Sequence, residues 1–117
     1  MKVSTTQVLK NLKGEEMKIA TSEIEDGKEI VKQVPMEFRD LVTNALNSET
    51  QEHRLTPELK TKAFQIMKKL WDSKEANLTL EQRNLIVERV KLFYTTMVAG
   101  IVEELLEGKD EEPKKEG

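Results

Sequence analysis

The sequence predicts an α+β, mainly helical fold in which an N-terminal β-hairpin packs on about three α-helices. Asp26-Gly27 lies between two strand-like stretches, and this dipeptide favours a two-residue hairpin turn because both central residues need a positive φ. Further along, apolar residues recur at the spacing of one helix face in three separate stretches. Thr56 followed by Pro57 marks one helix start, since threonine caps helices and proline suits the first helical position.

The length and charge of the chain indicate one acidic domain. At 117 residues with a net charge of −3, it has the size of a single domain and lacks the basic surface of a nucleic-acid-binding protein. We predict a folded domain over residues 1–108. A disordered charged tail is predicted over residues 109–117, where no apolar residue occurs.

The composition also indicates a compartment. Cysteine is absent, which excludes disulfides and thiolate zinc sites and suits a reducing cytoplasm. The first residues lack the apolar centre of a signal peptide, and no stretch reaches the ~20 apolar residues that cross a bilayer. We therefore expect a cytoplasmic protein without a membrane partner.

The N-terminal stretch has two interpretations, and both stay open. It forms a short helix that Ser4 caps and Gly14 ends, because these residue types are common at those positions. Alternatively, Lys2 to Val8 form an irregular arm or an edge strand.

The hairpin register follows from the turn. The strands are predicted over Met17 to Ile24 and Lys28 to Val34. Counting back from the turn places Glu23 opposite Ile30 and Ile19 opposite Val34. The face that carries these isoleucines and the valine is only partly apolar. Since an isolated hairpin is marginally stable, we expect this one to lie over the helices.

Two amphipathic helices are predicted next. The first begins at Pro35, and Glu37 favours its N-terminal dipole. Its apolar stripe consists of Phe38, Leu41, Val42, Ala45 and Leu46. The second begins after Thr56, and its stripe consists of Leu59, Ala63, Ile66, Met67 and Leu70.

The last helix begins after Thr79, with Gln82 at capping-box spacing. It continues to Glu107, where Gly108 would end it. The alternative is a break near the threonine pair at 95–96.

The stretch "FYTTMVAGIV", residues 93–102, carries no charge. A helix that is apolar on all sides is covered on all sides, either by the core of its own chain or by a second copy, and both remain open. Thr96 and Gly100 are four residues apart, which would let another backbone approach closely. The candidate oligomer or partner contacts are Phe93, Met97, Gly100 and Ile101.

Trp71 is a second candidate contact. It ends the second helix, where it either closes the core or anchors a partner, since tryptophan is common in both roles.

No motif for catalysis or cofactor binding occurs in the sequence. His53, the only histidine, lies in a polar connector and is expected to be solvated. Glu103 and Glu107 share a helix face and could hold Mg²⁺, but no second carboxylate cluster completes an octahedral site. We therefore predict a protein that is not an enzyme and has no metal and no cofactor.

Two groups of basic residues indicate alternative functions that involve binding a nucleotide or DNA. Arg83, Arg89 and Lys91 could bind the phosphates of a nucleotide signal, as in a small-ligand-binding counter-defence protein. The glutamates that could instead pair with these cations are Glu75, Glu81 and Glu88. The lysine-rich helix over 60–69 would suit a DNA-associated regulator, but the acidic charge balance argues against it.

Several stretches occur in order over residues 1–108: "VLKNLKGEEMK", "EDGKE", "MEFRDLVTNAL", an "LT-E" helix start, and "LTLEQRNLIVERV" leading to "GIVEELLEG". Together they resemble small proteins of tailed bacteriophages and prophages for which no functional site is known. The resemblance implies a viral or prophage origin and a bacterial host cytoplasm, and it transfers no functional residue. We expect a non-enzymatic protein that acts through protein contacts and self-associates, either as an assembly factor or as a small inhibitor of a host protein.

Overall fold

The computed structural model describes residues 2–107, except for the side chain of Glu107. The predicted mainly helical α+β fold is confirmed. The predicted helix end at Gly108 and the predicted tail over 109–117 lie outside the described residues. In chain order the elements are β1 (Lys2–Ser4), β2 (Lys18–Glu25), β3 (Lys28–Pro35), α1 (Phe38–Asn47), α2 (Pro57–Asp72), β4 (Glu75–Asn77), α3 (Leu80–Phe93) and α4 (Thr96–Glu107).

The N-terminal stretch is an edge strand. β1 pairs antiparallel with β4, so that Val3 lies opposite Ala76, and both side chains are buried. Just after β1, the N–H of Thr5 donates to the carbonyl oxygen of Lys74 at 2.9 Å. The Thr5 hydroxyl donates to the carbonyl oxygen of Ser73 at 2.7 Å. The short-helix interpretation is wrong, because these long-range bonds hold the backbone extended across the end of α2.

The hairpin forms with the predicted turn and register. At the Asp26-Gly27 turn both φ angles are positive, 52° and 78°, as a type I′ turn requires. β2 and β3 pair antiparallel, with Ile19 opposite Val34 and Glu23 opposite Ile30.

The hairpin joins the helical body at its base. There the N–H of Met17 donates to the carbonyl of Leu9, and the N–H of Met36 donates to that of Met17, each at 2.8 Å. Nearer the turn, Ile24 is 78% exposed and Val31 is 65% exposed. The expected packing over the helices is therefore limited to the base, and the outer part projects from a molecule 58 Å long.

α1 begins at Phe38 and not at Pro35. Pro35 is the last residue of β3, and Glu37 caps the helix. The N–H of Glu37 donates to the carboxylate of Asp40 at 3.0 Å, so the two residues form a capping box. The predicted apolar stripe of this helix is fully buried.

α2 begins as predicted. The hydroxyl of Thr56 accepts the N–H of Leu59 at 3.1 Å, and Pro57 occupies the first helical position. Three residues of the predicted stripe, Ala63, Ile66 and Leu70, are buried. Because α2 contacts both α1 and α3, this face forms the middle of the core.

The prediction of one continuous last helix is wrong, and the alternative break near the threonine pair is present. Tyr94 is extended, with φ −127° and ψ 168°, and separates α3 from α4. The hydroxyl of Thr95 then accepts the N–H of Val98 at 3.4 Å, and its carbonyl accepts that of Ala99 at 2.9 Å. Thr95 thus satisfies backbone donors of the new helix.

Beyond the break, α4 runs back along α3. Arg83, near the start of α3, donates to the carbonyl of Leu106 near the end of α4 at 3.3 Å. This antiparallel packing adds Val102 and Leu106 to the core beside Ile86 and Val90 of α3.

We predict that Thr79→Ala lowers the free energy of unfolding by about 1 kcal/mol. The Thr79 hydroxyl accepts the N–H of Gln82 at 3.1 Å, and the Gln82 side chain accepts the N–H of Thr79 at 3.0 Å, so the substitution removes half of a capping box. Urea unfolding followed by circular dichroism measures the change. Thr61→Ala, on the exposed surface of α2, is the control and should change the value by less than about 0.5 kcal/mol. Equal losses in both variants would contradict the capping role.

Candidate functional site

The uncharged stretch over 93–102 is divided between the core and the surface. Val98, Ala99 and Val102 are buried against the rest of the chain. On the other side of α4, Met97 is 39% exposed and Gly100 is also exposed. Three of the ten residues of this stretch are therefore ordinary core, and Met97 and Gly100 lie on the surface.

We call Met97, Gly100 and Ile101 the α4 ridge. Their spacing of three and four residues places them on one face of α4. Ile101 is half-buried, and Glu104 follows it on the same face as an exposed carboxylate. The fold thus brings together three of the four contact residues predicted near the end of the chain.

Gly100 has open space above it. Among the described residues, a Cβ atom added there would meet no atom within 4 Å, apart from the two chain neighbours of Gly100 and the nearby backbone of its own helix. A hollow of about 360 Å³ lies beside it. The residues that line this hollow are Lys91, Tyr94, Thr96, Ala99, Gly100 and Glu103. On its rim, the Lys91 ammonium lies 3.4 Å from the carboxylate of Glu103, which ties α3 to α4.

Phe93, the fourth predicted contact residue, belongs to a different set of contacts. Its ring lies 5.0 Å from the guanidinium of Arg89 and 6.5 Å from the ring of His53, which is approached edge to face. Arg89 is only 4% exposed and donates to the carbonyls of Ser48 at 2.5 Å and His53 at 3.2 Å. These contacts fix the connector between α1 and α2. His53 as a whole residue is exposed, as expected of a histidine in a polar connector.

The three candidate anion-binding cations go to three different partners. Arg83 reaches the carbonyl of Leu106, Arg89 reaches the α1–α2 connector, and Lys91 reaches Glu103. Among the glutamates considered as their partners, Glu81 is held by Lys62 of α2 instead. The geometry gives no convergence on a phosphate.

Trp71 does not close the core, because 47% of its surface is exposed. Its indole N–H donates to the hydroxyl of Thr43 at 2.8 Å, and the guanidinium of Arg39 lies 4.2 Å from the ring centre. Arg39 is itself held by Glu37 at 3.0 Å. Trp71 is therefore an exposed aromatic side chain in a fixed orientation, which suits a partner contact.

The lysines of α2 are only partly available. Lys62 pairs with Glu81, and Lys69 donates to the carbonyl of Asn77 and the side chain of Gln82, each at 2.8 Å. Lys68 lies 5.9 Å from the ring of Phe64. Because two of the lysines serve contacts within the chain, this helix does not present the continuous basic surface that a DNA-binding helix needs.

Two exposed apolar groups are absent from the sequence-based candidates. Phe64 of α2 is 59% exposed, although it follows Ala63 of the apolar stripe. In the hairpin, Ala20, Ile24 and Val31 lie on the face opposite to Ile19, and all three are exposed. The alternation of residues along the strands indicates this second apolar face. It does not indicate which of the two faces packs against the helices.

Among the described residues, no group of three or more histidine or acidic side chains is arranged to hold a metal ion. The side chain of Glu107, half of the candidate Mg²⁺ pair, lies outside them. Glu103 is engaged by Lys91, and Glu104 is exposed.

We predict that Lys62→Met raises the pKa of Glu81. The Lys62 ammonium donates to the Glu81 carboxylate at 2.8 Å, and this hydrogen bond, followed by charge attraction, lowers the pKa of Glu81 and raises the pKa of Lys62. Because the pKa of Glu81 is lowered, the pair stabilises the fold at any pH above the ordinary pKa of glutamate. This stabilisation is lost as the pH falls through the lowered pKa. Because the pKa of Lys62 is raised, the pair also stabilises the fold at any pH below the ordinary pKa of lysine. This stabilisation is lost as the pH rises through the raised pKa.

The measurement is an NMR titration of the Glu81 carboxyl carbon in both proteins. Lys60→Met is the control and should leave the titration unchanged, because Lys60 is exposed and lies two residues before Lys62, on another side of the helix. A Glu81 that titrates at its ordinary value in the unsubstituted protein would contradict the pairing.

Within residues 2–107, no helix has the length and apolar character needed to cross a bilayer. No protein-family model, curated protein or solved structure shows significant similarity to this chain. The functional assignment therefore depends on the geometry of the chain itself.

Proposed function

We propose that this chain is a non-enzymatic protein that acts through protein contacts and self-associates through the α4 ridge. The observation that carries the proposal is Gly100, an exposed glycine in the interior of a helix with open space above it.

Glycine is an unfavourable residue at this position. Inside a helix, glycine is less favourable than alanine by about 1 kcal/mol. Within residues 2–107, no atom outside the same helix occupies the space that a Cβ would fill, so packing within one copy does not require glycine here. A glycine here would allow the backbone of a second copy to approach closely, since a side chain would hold the two helices apart.

The neighbours of Gly100 support the same contact. Met97 and Ile101 flank it on the ridge and would bury apolar surface against a second copy. Methionine is flexible and adapts to an irregular surface. A two-fold arrangement would place the same ridge on both sides of the contact, as in most homodimers.

The proposal also covers the origin of the protein and the compartment in which it acts. We infer a phage or prophage product that works in the bacterial cytoplasm as an assembly factor or as a small inhibitor of a host protein. The resemblance of the chain to small phage proteins supports the origin, and the absence of cysteine suits a reducing compartment.

The test is the absolute mass in solution, measured by size exclusion with light scattering over a concentration series. We expect the unsubstituted protein to form a dimer or a larger species and Gly100→Arg to lose that species, with a shift towards the single-chain mass of 13.5 kDa. The space above Gly100 accommodates the arginine, so the variant should keep its fold. Gln65→Arg, an equal charge change at an exposed position of α2, should keep the mass of the unsubstituted protein. A monomeric unsubstituted protein, or a stable Gly100→Arg with the same mass as the unsubstituted protein at every concentration, would contradict the proposal.

Trp71 provides a second measurement, because it is the only tryptophan. If it contributes to the contact, we expect its emission maximum to shift to shorter wavelength as the protein concentration increases, since burial removes water from the exposed part of the ring. A concentration-dependent mass with constant emission would restrict the contact to surfaces away from Trp71.

A further inference from the structure

The hairpin has an open edge along β2. Within residues 2–107, β2 and β3 pair only with each other. A two-residue type I′ turn makes Glu25 and Lys28 a hydrogen-bonded pair, and such pairs then alternate with non-hydrogen-bonded pairs along the ladder. Ala20, Ser22 and Ile24 therefore direct their backbone N–H and C=O groups away from β3.

The two edges of the hairpin differ in protection. β3 has Lys32 near its middle and Pro35 at its end, and these residue types commonly block strand addition. β2 has no proline, and its residues 19–22 are four consecutive uncharged residues. The β2 edge is therefore the one that can accept another strand.

The hairpin also lacks the cover that would stabilise it. Its face with Ala20, Ile24 and Val31 is exposed, and so is the tip. A two-stranded sheet without a packed face is marginally stable in water, whereas three or more strands are much more stable. An added strand would supply both hydrogen bonds and apolar contacts.

The charges of β2 identify the added strand as a second β2. Lys18 lies at the base of the strand, and Glu25 and Asp26 lie at its tip. When two such strands pair antiparallel, the basic base of each meets the acidic tip of the other, so the charges complement each other twice. Parallel pairing would place like charges together.

We propose that β2 pairs antiparallel with β2 of a second copy about a two-fold axis at Ser22, which joins the two hairpins into a four-stranded sheet. In this register Ala20 lies opposite Ile24 of the second copy and Lys18 lies opposite its Asp26. The outward-facing residues on both strands supply about six hydrogen bonds. This contact goes beyond the α4 ridge and uses a separate surface, so it stands or fails independently.

A matched pair of proline variants tests the contact. Ala20 and Gln33 lie opposite each other in the hairpin, and each directs its N–H outward, one on the β2 edge and one on the β3 edge. Proline removes an outward N–H without breaking the ladder inside the hairpin. We expect Ala20→Pro to lose the species held by this contact in light scattering and Gln33→Pro to keep it. Equal masses for Ala20→Pro and the unsubstituted protein, or equal losses in both variants, would overturn the proposal.

Cross-linking decides the matter where a proline variant fails to fold. The chain has no cysteine, so Ser22→Cys introduces a single thiol at the two-fold axis. Hydrogen-bonded strand partners have Cα atoms about 5.5 Å apart, which a disulfide can bridge. We expect Ser22→Cys to form a covalent dimer under mild oxidation and Val31→Cys, on the β3 edge, to remain a single chain. Absence of a Ser22→Cys dimer, or equal cross-linking at both positions, would overturn the contact.

The same cross-link separates this contact from the proposed function. In a Gly100→Arg background, Ser22→Cys should still form the covalent dimer, because β2 and β3 make no extensive contact with α4 among the described residues. A cross-link that disappears with Gly100→Arg would overturn hairpin pairing as an independent contact and leave the α4 ridge as the basis of self-association.

Discussion

The break at Tyr94 and Thr95 determines which apolar residues of this chain are buried and which remain on the surface. A straight helix through this point would carry the uncharged stretch away from the body. Because the backbone is extended at Tyr94, α4 turns back along α3 and places Val98 and Val102 in the core. The α4 ridge is the side of the same helix that this folding back leaves uncovered. The core and the candidate contact are therefore two results of one change in backbone direction.

Polar contacts to backbone carbonyls hold the connections around this helical body. Arg89 reaches from α3 to the connector between α1 and α2, and Thr5 reaches from the N-terminal arm to the segment after α2. Both side chains are buried, and each donates to a backbone carbonyl of the segment that it reaches. A chain with few aromatic residues and no disulfides thus fixes its loops by hydrogen bonds.

Features that depend on neighbouring residues were predictable, and features that depend on distant ones were not. The Asp26-Gly27 turn set the hairpin register, and Thr56 and Thr79 set two helix starts, because each acts within four residues. The choice between a helix and an edge strand at the N-terminus depends on the partner strand at Ala76. The local sequence does not indicate that partner. Pro35 equally suits a helix start and a strand end. The exposure of Trp71 and the projection of the hairpin depend on the packing of the whole body, so sequence spacing alone left them open.

The pairing of β1 with β4 has a consequence for the order of folding. Val3 and Ala76 close a loop that contains the hairpin, α1 and α2, so their pairing loses more chain entropy than any contact inside that loop. The hairpin and the helices are local and can form first, whereas β1 must wait for a partner that is synthesised much later. During translation the first strand therefore stays unpaired while the segments between are made. Its docking marks the point at which the chain is complete up to β4.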